Sequence, residues 1–167
     1  MLISRLSDLL FHTVSELLAI IPLLFGMIIR YEFYKLTLSQ CGRNVLFGFG
    51  TVFFYRDIEI GDNVHIGMFN TFHHCKIGSY VLIADGCRFL SGKYYHLFDR
   101  TDVPIALQGG KYRRIQINDD CWIGTNTVVM NDIGAGSVIG AGSVVTSAIE
   151  PYSVALGNPA KVVRKRK

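Results

Sequence analysis

The chain lacks a hydrophobic run long enough to cross a bilayer. Its most apolar uncharged stretch, residues 17–29, has 13 residues and is interrupted by Pro22 and Gly26, whereas a spanning helix needs about 20 apolar residues. Asp8 and Glu16 precede this stretch and no small-x-small cleavage pattern follows it. We therefore expect neither a simple membrane-spanning helix nor a signal peptide.

Charged residues are also sparse, at 18% of the 167 residues, with a net charge of +4. Because 50% of the residues are hydrophobic, a disordered chain is excluded, and the length suits a single domain. The basic residues are too dispersed for a nucleic-acid-binding surface. The modest positive charge permits an anionic partner, such as a phosphorylated cofactor or a membrane surface.

Paired cysteine motifs are absent as well. Cys41, Cys75, Cys87 and Cys121 form no CxxC sequence and lie in strand-like segments. This pattern predicts reduced, buried thiols in a cytosolic protein and neither a disulfide framework nor a metal site.

What the chain does have is a six-residue repeat, clearest in residues 115–145. Aliphatic residues recur at this spacing, and several are followed directly by glycine: Ile117, Ile123, Val129, Ile133, Ile139 and Val145. An amphipathic helix does not recur every six residues, so the pattern predicts short flat strands, each with one inward aliphatic side chain. Such strands are too short to be stable alone and must stack coil on coil.

The repeat begins weakly near Asn44, becomes clear at residues 58–64 and continues to Phe89. The spacing falls to five residues between Phe72 and Ile77 and to four between Val129 and Ile133, which predicts tightened or bulged corners. Residues 91–114 break the period completely. A long loop within a compact repeat is commonly functional, and its three tyrosines, one phenylalanine and Pro-Ile pair predict an ordered loop.

Four phrases carry a resemblance to a known family: DCWIG at 120–124, IGAGSVVT at 139–146, Pro151-Tyr152, and GNPAK at 157–161. In this order they resemble the hexapeptide-repeat acyltransferases. The resemblance implies a mainly β fold, a left-handed parallel β-helix formed by residues 41–167. Its handedness is an exception to the usual right-handed crossover rule.

The resemblance also implies an activity. It favours an acetyl-CoA-dependent O-acetyltransferase acting on a sugar of a bacterial surface polysaccharide or its lipid-linked precursor, at the inner face of the cytoplasmic membrane. His96, in the long loop upstream of the WIG phrase, matches the family's general base. An imidazole with a pKa near 6.5 can take the proton of an acceptor hydroxyl as it attacks a thioester. No nucleophile is predicted beside His96, so transfer should be direct.

Cofactor-binding and acceptor-binding positions follow from the same resemblance. It places Thr125, Ala141 and Thr146 along the coenzyme A arm, with Lys161 and Arg164 at the phosphates. Ser147 stands where relatives often have lysine, which removes one expected charge contact. The family forms homotrimers with active sites between subunits. Asn70, His74 and Trp122 are candidates on the acceptor side. His73 competes with His74, because adjacent strand residues point to opposite faces.

Residues 1–40 do not share the repeat. Apolar residues at helical spacing predict an amphipathic helix: Leu6, Leu9, Leu10, Val14, Leu17, Leu18 and Ile21. This segment either caps the open end of the β-helix or lies in the membrane surface. It resembles the N-terminal region of membrane-associated polysaccharide acetyltransferases in Ile21-Pro22, Gly26, Arg30, Phe33-Tyr34-Lys35 and Cys41-Gly42. In the second case Arg5, Arg30 and Lys35 would lie near the lipid headgroups.

Three alternatives remain at this point. The chain could be a soluble acetyltransferase for a small acceptor, such as an antibiotic, serine or a sugar nucleotide. It could be a non-catalytic trimeric scaffold. A zinc hydrolase of the γ-carbonic-anhydrase kind would need three imidazoles on one metal, but the family's His-x4-His pair is missing and only His96 is well placed.

Overall fold

The computed structural model describes residues 2–92 and 94–167, with side chains from residue 7 onward. Two helices, α1 (Leu2–Ala19) and α2 (Leu23–Thr37), precede sixteen short strands. In chain order the strands are β1 (Gln40–Cys41), β2 (Leu46–Phe47), β3 (Val52–Phe53), β4 (Glu59–Ile60), β5 (His65–Ile66), β6 (Thr71–Phe72), β7 (Cys75–Ile77), β8 (Leu82–Ile83), β9 (Arg88–Phe89), β10 (Ile115–Ile117), β11 (Trp122–Ile123), β12 (Val128–Val129), β13 (Val138–Ile139), β14 (Val144–Val145), β15 (Ser153–Leu156) and β16 (Lys161–Lys165).

The strands form three parallel sheets, the faces of a three-sided prism. Sheet 1 contains β1, β4, β7 and β10; sheet 2 contains β2, β5, β8, β11, β13 and β15; sheet 3 contains β3, β6, β9, β12 and β14. The final strand, β16, turns back and pairs antiparallel with β15. The chain is a left-handed parallel β-helix of about 6 turns, which confirms the predicted fold class.

The prism is regular along two of its edges and irregular along the third. Within every described coil, the inward residues of sheets 1, 2 and 3 follow one another at intervals of six, as in Ile60, Ile66 and Phe72. From sheet 3 to the next coil of sheet 1 the interval varies: it is seven residues after Phe53, four after Val129 and, where the long loop is inserted, 28 after Phe89. We call this the variable edge. The predicted tightened corners both lie there, and so does the long loop.

The two helices cover the first coil. Inside the prism, the Phe53, Phe72 and Phe89 rings stack with centroids 4.6 and 4.5 Å apart, and the fully buried Tyr34 of α2 lies 4.6 Å from Phe53. The Tyr34 hydroxyl lies 2.7 Å from the Ser15 hydroxyl of α1, which in turn accepts the Phe53 N–H. The helices therefore continue the core and occupy the end of the β-helix, as the cap interpretation predicted.

Arg30 is the polar centre of this cap. Its side chain is 1% exposed and donates hydrogen bonds to the carbonyl oxygens of Phe47, Leu18 and Ile21, at 3.0, 3.1 and 2.8 Å. A Cβ at Gly26 would lie 2.7 Å from the guanidinium, so only glycine allows this approach. The expectation that Arg30 lies near lipid headgroups was wrong, because its donors are needed inside the cap.

Of the other two cations in that expectation, Lys35 is exposed and lies 5.4 Å from the Tyr31 ring, whereas the Arg5 side chain is outside the described residues. Among the described helices, none combines the length and the apolar character required to cross a membrane.

The cysteines are free, and three of the four are buried. Burial raises the pKa of each thiol, to about 11 for Cys121. Because a protonated thiol is a poor nucleophile, these residues are packing groups, as predicted.

Replacing Arg30 tests the cap. We expect Arg30→Met to lower the free energy of unfolding by about 3 kcal/mol, because buried carbonyl groups lose their donors. The measurement is urea unfolding followed by circular dichroism. Lys35→Met, at an exposed position of the same helix, is the matched control and should change stability by less than about 0.5 kcal/mol. Equal effects of the two changes would contradict the assigned role of Arg30.

Candidate active site

The long loop leaves the variable edge as an ordered hairpin. Backbone hydrogen bonds connect its two arms, from Arg113 N–H to Ser91, from Lys111 N–H to Tyr94 and from Leu97 N–H to Gly109. At the base, the Arg113 guanidinium pairs with Asp132 and donates to Asn131 of the next coil at 2.7 Å. The prediction of an ordered loop is confirmed.

The tip of the hairpin is held by one side-chain amide. Gln108 accepts the Arg100 N–H at 3.1 Å and donates to the carbonyl oxygens of Arg100 and Val103. A short 3-10 helix, Ile105–Leu107, follows Pro104. Fixing the tip in this way restrains the arm that carries His96.

His96 opens onto a cavity of about 380 Å³ between the hairpin and the variable edge. Its exposed ring lies edge-on to Tyr95, with centroids 4.8 Å apart, and within the described chain it makes no hydrogen bond. The cavity is lined mainly by apolar and aromatic groups, among them Phe98 and Met130. An imidazole in this setting can accept a proton from a bound hydroxyl without first losing an internal partner.

His73 lines the same cavity. Its ring stacks on Phe54 at 4.6 Å, and in the part of the chain that the structure describes its Nδ1 atom is buried without a hydrogen-bond partner. Burial, followed by the nearby His74 and His12 side chains, lowers the pKa of His73. The ring is therefore neutral at pH 7 and can bind a hydroxyl without adding charge.

His74 faces a different cavity. Its Nδ1 atom lies 2.7 Å from Asp57 Oδ2, and its ring stacks on Tyr55 at 3.9 Å. The two histidines diverge, as strand alternation predicted. The residue that shares the His96 cavity is His73, whereas His74, the candidate named for the acceptor side, lines the other cavity.

Asn70 is placed away from both cavities. It is fully buried at the edge between sheets 2 and 3, where its amide donates to Gly67 at 2.9 Å and accepts the Cys87 N–H at 2.7 Å. Both ends of the side chain are thus used to hold consecutive coils together. The acceptor role suggested for Asn70 is not supported by this position, because the amide has no free face.

The cofactor candidates lie on other parts of the prism. Thr125 and Ala141 are stacked and exposed at the edge between sheets 2 and 3, and in the described chain the Ala141 N–H meets no acceptor. Thr146 lies at the variable edge, where its carbonyl oxygen accepts from Asn131 at 3.1 Å. Lys161 and Arg164 are exposed on β16. A single chain therefore does not bring these residues into one cavity with His96.

The C-terminal segment is part of the fold. Besides the β15 pairing, Arg166 forms an ion pair with Asp120 at 2.8 Å and donates to the Gly136 carbonyl oxygen. This anchoring positions the basic residues of β16 beside the last coils and argues against a freely solvated tail.

The outer faces of the three sheets differ in polarity. Sheet 1 presents charged side chains, with Glu59 in ion pairs with Lys76 and Arg114 at 3.1 and 3.0 Å. Sheet 2 presents exposed apolar side chains, including Leu82 and Trp122, the latter 55% exposed. Sheet 3 presents the half-buried valines Val52, Val128 and Val144, with Thr71 and the exposed Arg88 between the first two. Two adjacent faces thus leave apolar surface uncovered in the single chain.

Sequence analysis missed Tyr55 and Asp57, which lie on the variable edge beside His74. The seven-residue interval between Phe53 and Ile60 could have indicated them, because it predicts a lengthened corner just as the short intervals predict tightened ones. Tyr95 was counted only among the loop aromatics. Burial, and then a hydrogen bond with Tyr95, raises the pKa of Tyr55 to about 12, so the Tyr55 phenol stays neutral at pH 7.

Comparison with known proteins identifies the repeats. The family described as bacterial transferase hexapeptide (six repeats) matches residues 57–90, and the hexapeptide repeat of succinyl-transferase matches residues 114–147. A Mycobacterium tuberculosis protein named "Probable acetyltransferase" is 39% identical over 114 residues, which are 65% of this chain and 37% of that protein. The chain spans less than two thirds of the first curated relatives it matches.

Solved structures match over nearly the whole chain. A hexapeptide-repeat acetyltransferase of Vibrio cholerae complexed with acetyl coenzyme A has a TM-score of 0.82 at 25% identity, covering 96% of this chain and 88% of that one. A galactoside acetyltransferase in complex with coenzyme A has a TM-score of 0.82 at 27% identity, covering 96% and 82%.

The lowered pKa of His73 predicts how stability depends on pH. Below the ordinary value of 6.5 the unfolded chain binds a proton that the folded chain does not, so stability falls as pH decreases, by up to about 1.4 kcal/mol per pH unit. His73→Phe keeps the stack on Phe54 and should reduce the decrease in the free energy of unfolding between pH 7.5 and pH 5.5. Urea unfolding at both pH values measures this free energy. His65→Phe, on the exposed face of sheet 2, is the control; identical slopes in all three proteins would contradict the prediction.

Proposed function

Because the chain belongs to the hexapeptide-repeat acyltransferases, we propose that it is an acetyl-CoA-dependent O-acetyltransferase that acetylates a sugar hydroxyl, with His96 as general base. The observation that carries the proposal is the position of His96, on an ordered hairpin and facing an open cavity with no internal hydrogen-bond partner in the described chain.

In this reaction the acceptor oxygen attacks the thioester carbonyl carbon while the His96 imidazole takes the hydroxyl proton. The carbon–sulfur bond then breaks, and the proton passes from the imidazole to the leaving thiolate. The described lining of the cavity contains no cysteine, and the Ser91 hydroxyl already accepts the His74 N–H at 3.3 Å. This supports direct transfer without a covalent acyl-enzyme.

The residues at the edge between sheets 2 and 3 fit the pantetheine arm of coenzyme A. Thr125 and Ala141 are small and exposed, and the free Ala141 N–H can donate to an amide carbonyl of the arm. The exposed Lys161 and Arg164 supply positive charge for the phosphates.

The site is incomplete in one chain, which supports a homotrimer with shared active sites. If sheet 3 of one subunit faces sheet 2 of its neighbour, both apolar faces are covered and the charged sheet 1 remains in water. Trp122 of one subunit would then lie opposite the His96 cavity of another. Each site would combine the base of one chain with the cofactor edge of the next.

A sugar acceptor is supported by the fold neighbour that acts on galactosides and by the aromatic lining of the cavity. The finer proposal is a sugar of a surface polysaccharide or its lipid-linked precursor, modified at the inner face of the cytoplasmic membrane. It is supported by the exposed apolar tip between α1 and α2, where Leu23 and Phe25 are 83% and 73% exposed.

Removing the base tests the reaction. We expect His96→Ala to lower kcat by about 10²- to 10⁴-fold with little change in the KM for acetyl-CoA, because the imidazole acts on the acceptor proton. Thiol release in the presence of mono- and oligosaccharides measures it, and Leu107→Ala, at an exposed position on the tip of the same hairpin, is the matched control. Unchanged thiol release in His96→Ala would refute the assigned base.

Mixing variants extends this test to the shared site. Ala141→Arg should block the cofactor edge and be inactive alone. Random co-assembly of equal amounts of His96→Ala and Ala141→Arg chains should restore about one quarter of wild-type activity. One site in four then combines an intact His96 from one chain with an intact cofactor edge from its neighbour. No recovery from well-formed mixed trimers would show that each chain holds a complete site.

Vesicle flotation tests the membrane proposal. We expect wild-type protein to float with vesicles of equimolar phosphatidylcholine and phosphatidylglycerol, and Leu24→Glu with Phe25→Glu to reduce binding by about tenfold or more, because charges oppose insertion of the tip. The control, Ile105→Glu with Leu107→Glu, changes two exposed apolar residues on the hairpin tip. If wild type stays with the soluble fraction, the tip does not bind lipid.

A further inference from the structure

A second and larger cavity, of about 560 Å³, lies on the variable edge where α2 ends. It is bounded by the C-terminal turn of α2, by the corner of the first coil and by the corner of the second coil. Its side-chain polar groups come from Asp8, Thr37, Ser39, Tyr55, Arg56, Asp57 and His74. We call it the Tyr55 cleft. The His96 reaction described above uses none of these residues.

A preoriented pair forms the wall of this cleft. Asp57 fixes the His74 ring through its Nδ1 atom at 2.7 Å, and Tyr55 supports the ring face at 3.9 Å. Within the described chain the other ring nitrogen of His74 makes no hydrogen bond. A ring held on one side by a carboxylate and on its face by an aromatic presents its free nitrogen with little loss of side-chain entropy on binding.

The charges of the lining indicate which ligands fit. Two carboxylates, Asp8 and Asp57, stand against one guanidinium, Arg56, so the cleft disfavours an anionic ligand such as a phosphate. Polar side chains around much of the wall disfavour an apolar one. No group of three or more possible metal ligands occurs among the described residues.

What remains is a neutral ligand with many hydroxyl groups. Carboxylates accept from hydroxyls and a guanidinium donates to them, while the Thr37 hydroxyl, which donates to the Phe33 carbonyl oxygen at 2.6 Å, can still accept. The Ser39 hydroxyl donates to the Arg56 carbonyl oxygen at 3.1 Å, which leaves its lone pairs available. This composition matches one unit of a saccharide.

The cleft adjoins the His96 cavity through a wall of two rings. His74 contacts Tyr112 with centroids 6.0 Å apart, Tyr112 contacts Tyr95 at 4.9 Å, and Tyr95 contacts His96 at 4.8 Å. The two cavities thus flank the same His73-His74 dipeptide. A chain of linked sugars could pass from one cavity to the other over the tyrosine edges.

We infer that the Tyr55 cleft is a saccharide-binding subsite that holds a sugar unit adjacent to the one acetylated at His96. The inference rests on the proposed function and deepens it, because it makes the acceptor an oligosaccharide or a longer glycan. A small single-ring acceptor would leave the cleft empty and would gain nothing from the Asp57–His74 pair.

Binding to an array of defined mono- and oligosaccharides tests the subsite separately from catalysis. Full-length wild-type protein should bind at least one oligosaccharide about tenfold more tightly than its component monosaccharides. His74→Phe keeps the stack on Tyr55 but removes the polar nitrogens, and it should abolish this preference, with at least about tenfold weaker binding to the oligosaccharide. Asp57→Asn should have an intermediate effect.

Two controls separate the outcomes. Lys76→Ala breaks a comparable exposed ion pair with Glu59 outside the cleft and should bind as wild type. His96→Ala should lose acetyl transfer but keep oligosaccharide binding. Loss of catalysis can therefore be distinguished from loss of the subsite. The inference is overturned if wild type shows no preference for any oligosaccharide, or if His74→Phe binds as wild type; thiol release with a monosaccharide would then leave the proposed function standing.

Discussion

The structure depends on one packing constraint, that each coil must set its inward side chains directly over those of the coil before it. Along two edges this fixes the interval at six residues in every described coil, because a different interval would turn the next strand's apolar residue outward. The variable edge absorbs all differences in coil length. It is therefore the place where a hairpin of more than twenty residues can leave the prism without disturbing the ladders.

The candidate site is a consequence of that freedom. The hairpin, the shortened corner with both histidines and the lengthened corner with Asp57 all stack on the variable edge. Aromatic contacts then join the cap to the site, since His12 of α1 stacks on Phe54 at 4.5 Å and Phe54 stacks on His73. The N-terminal helices thus close the core and also support one wall of the His96 cavity.

The distribution of polarity over the outer faces is the reason that we propose a homotrimer, and not a single chain, as the active unit. Two neighbouring sheets expose apolar side chains, while the third carries ion pairs. The small residues suited to a cofactor arm lie on the edge between the two apolar faces, and His96 lies on another edge. Association through those faces would remove apolar surface from water and complete the site in the same step.

The sequence by itself determined the β-helix, its inward ladder, the helical segment at the start and the excursion that carries His96, because periodicity and local composition are properties of neighbouring residues. It also indicated that His73 and His74 diverge. Only the tertiary structure decided which of them shares the cavity with His96, that Arg30 is buried in the cap, that Asn70 links coils, and that Asp57 meets His74 across 17 residues. All of these contacts join residues that belong to different coils or to the cap. Which residues meet depends on the number of residues that each coil has at the variable edge, and the spacing within one coil does not show this.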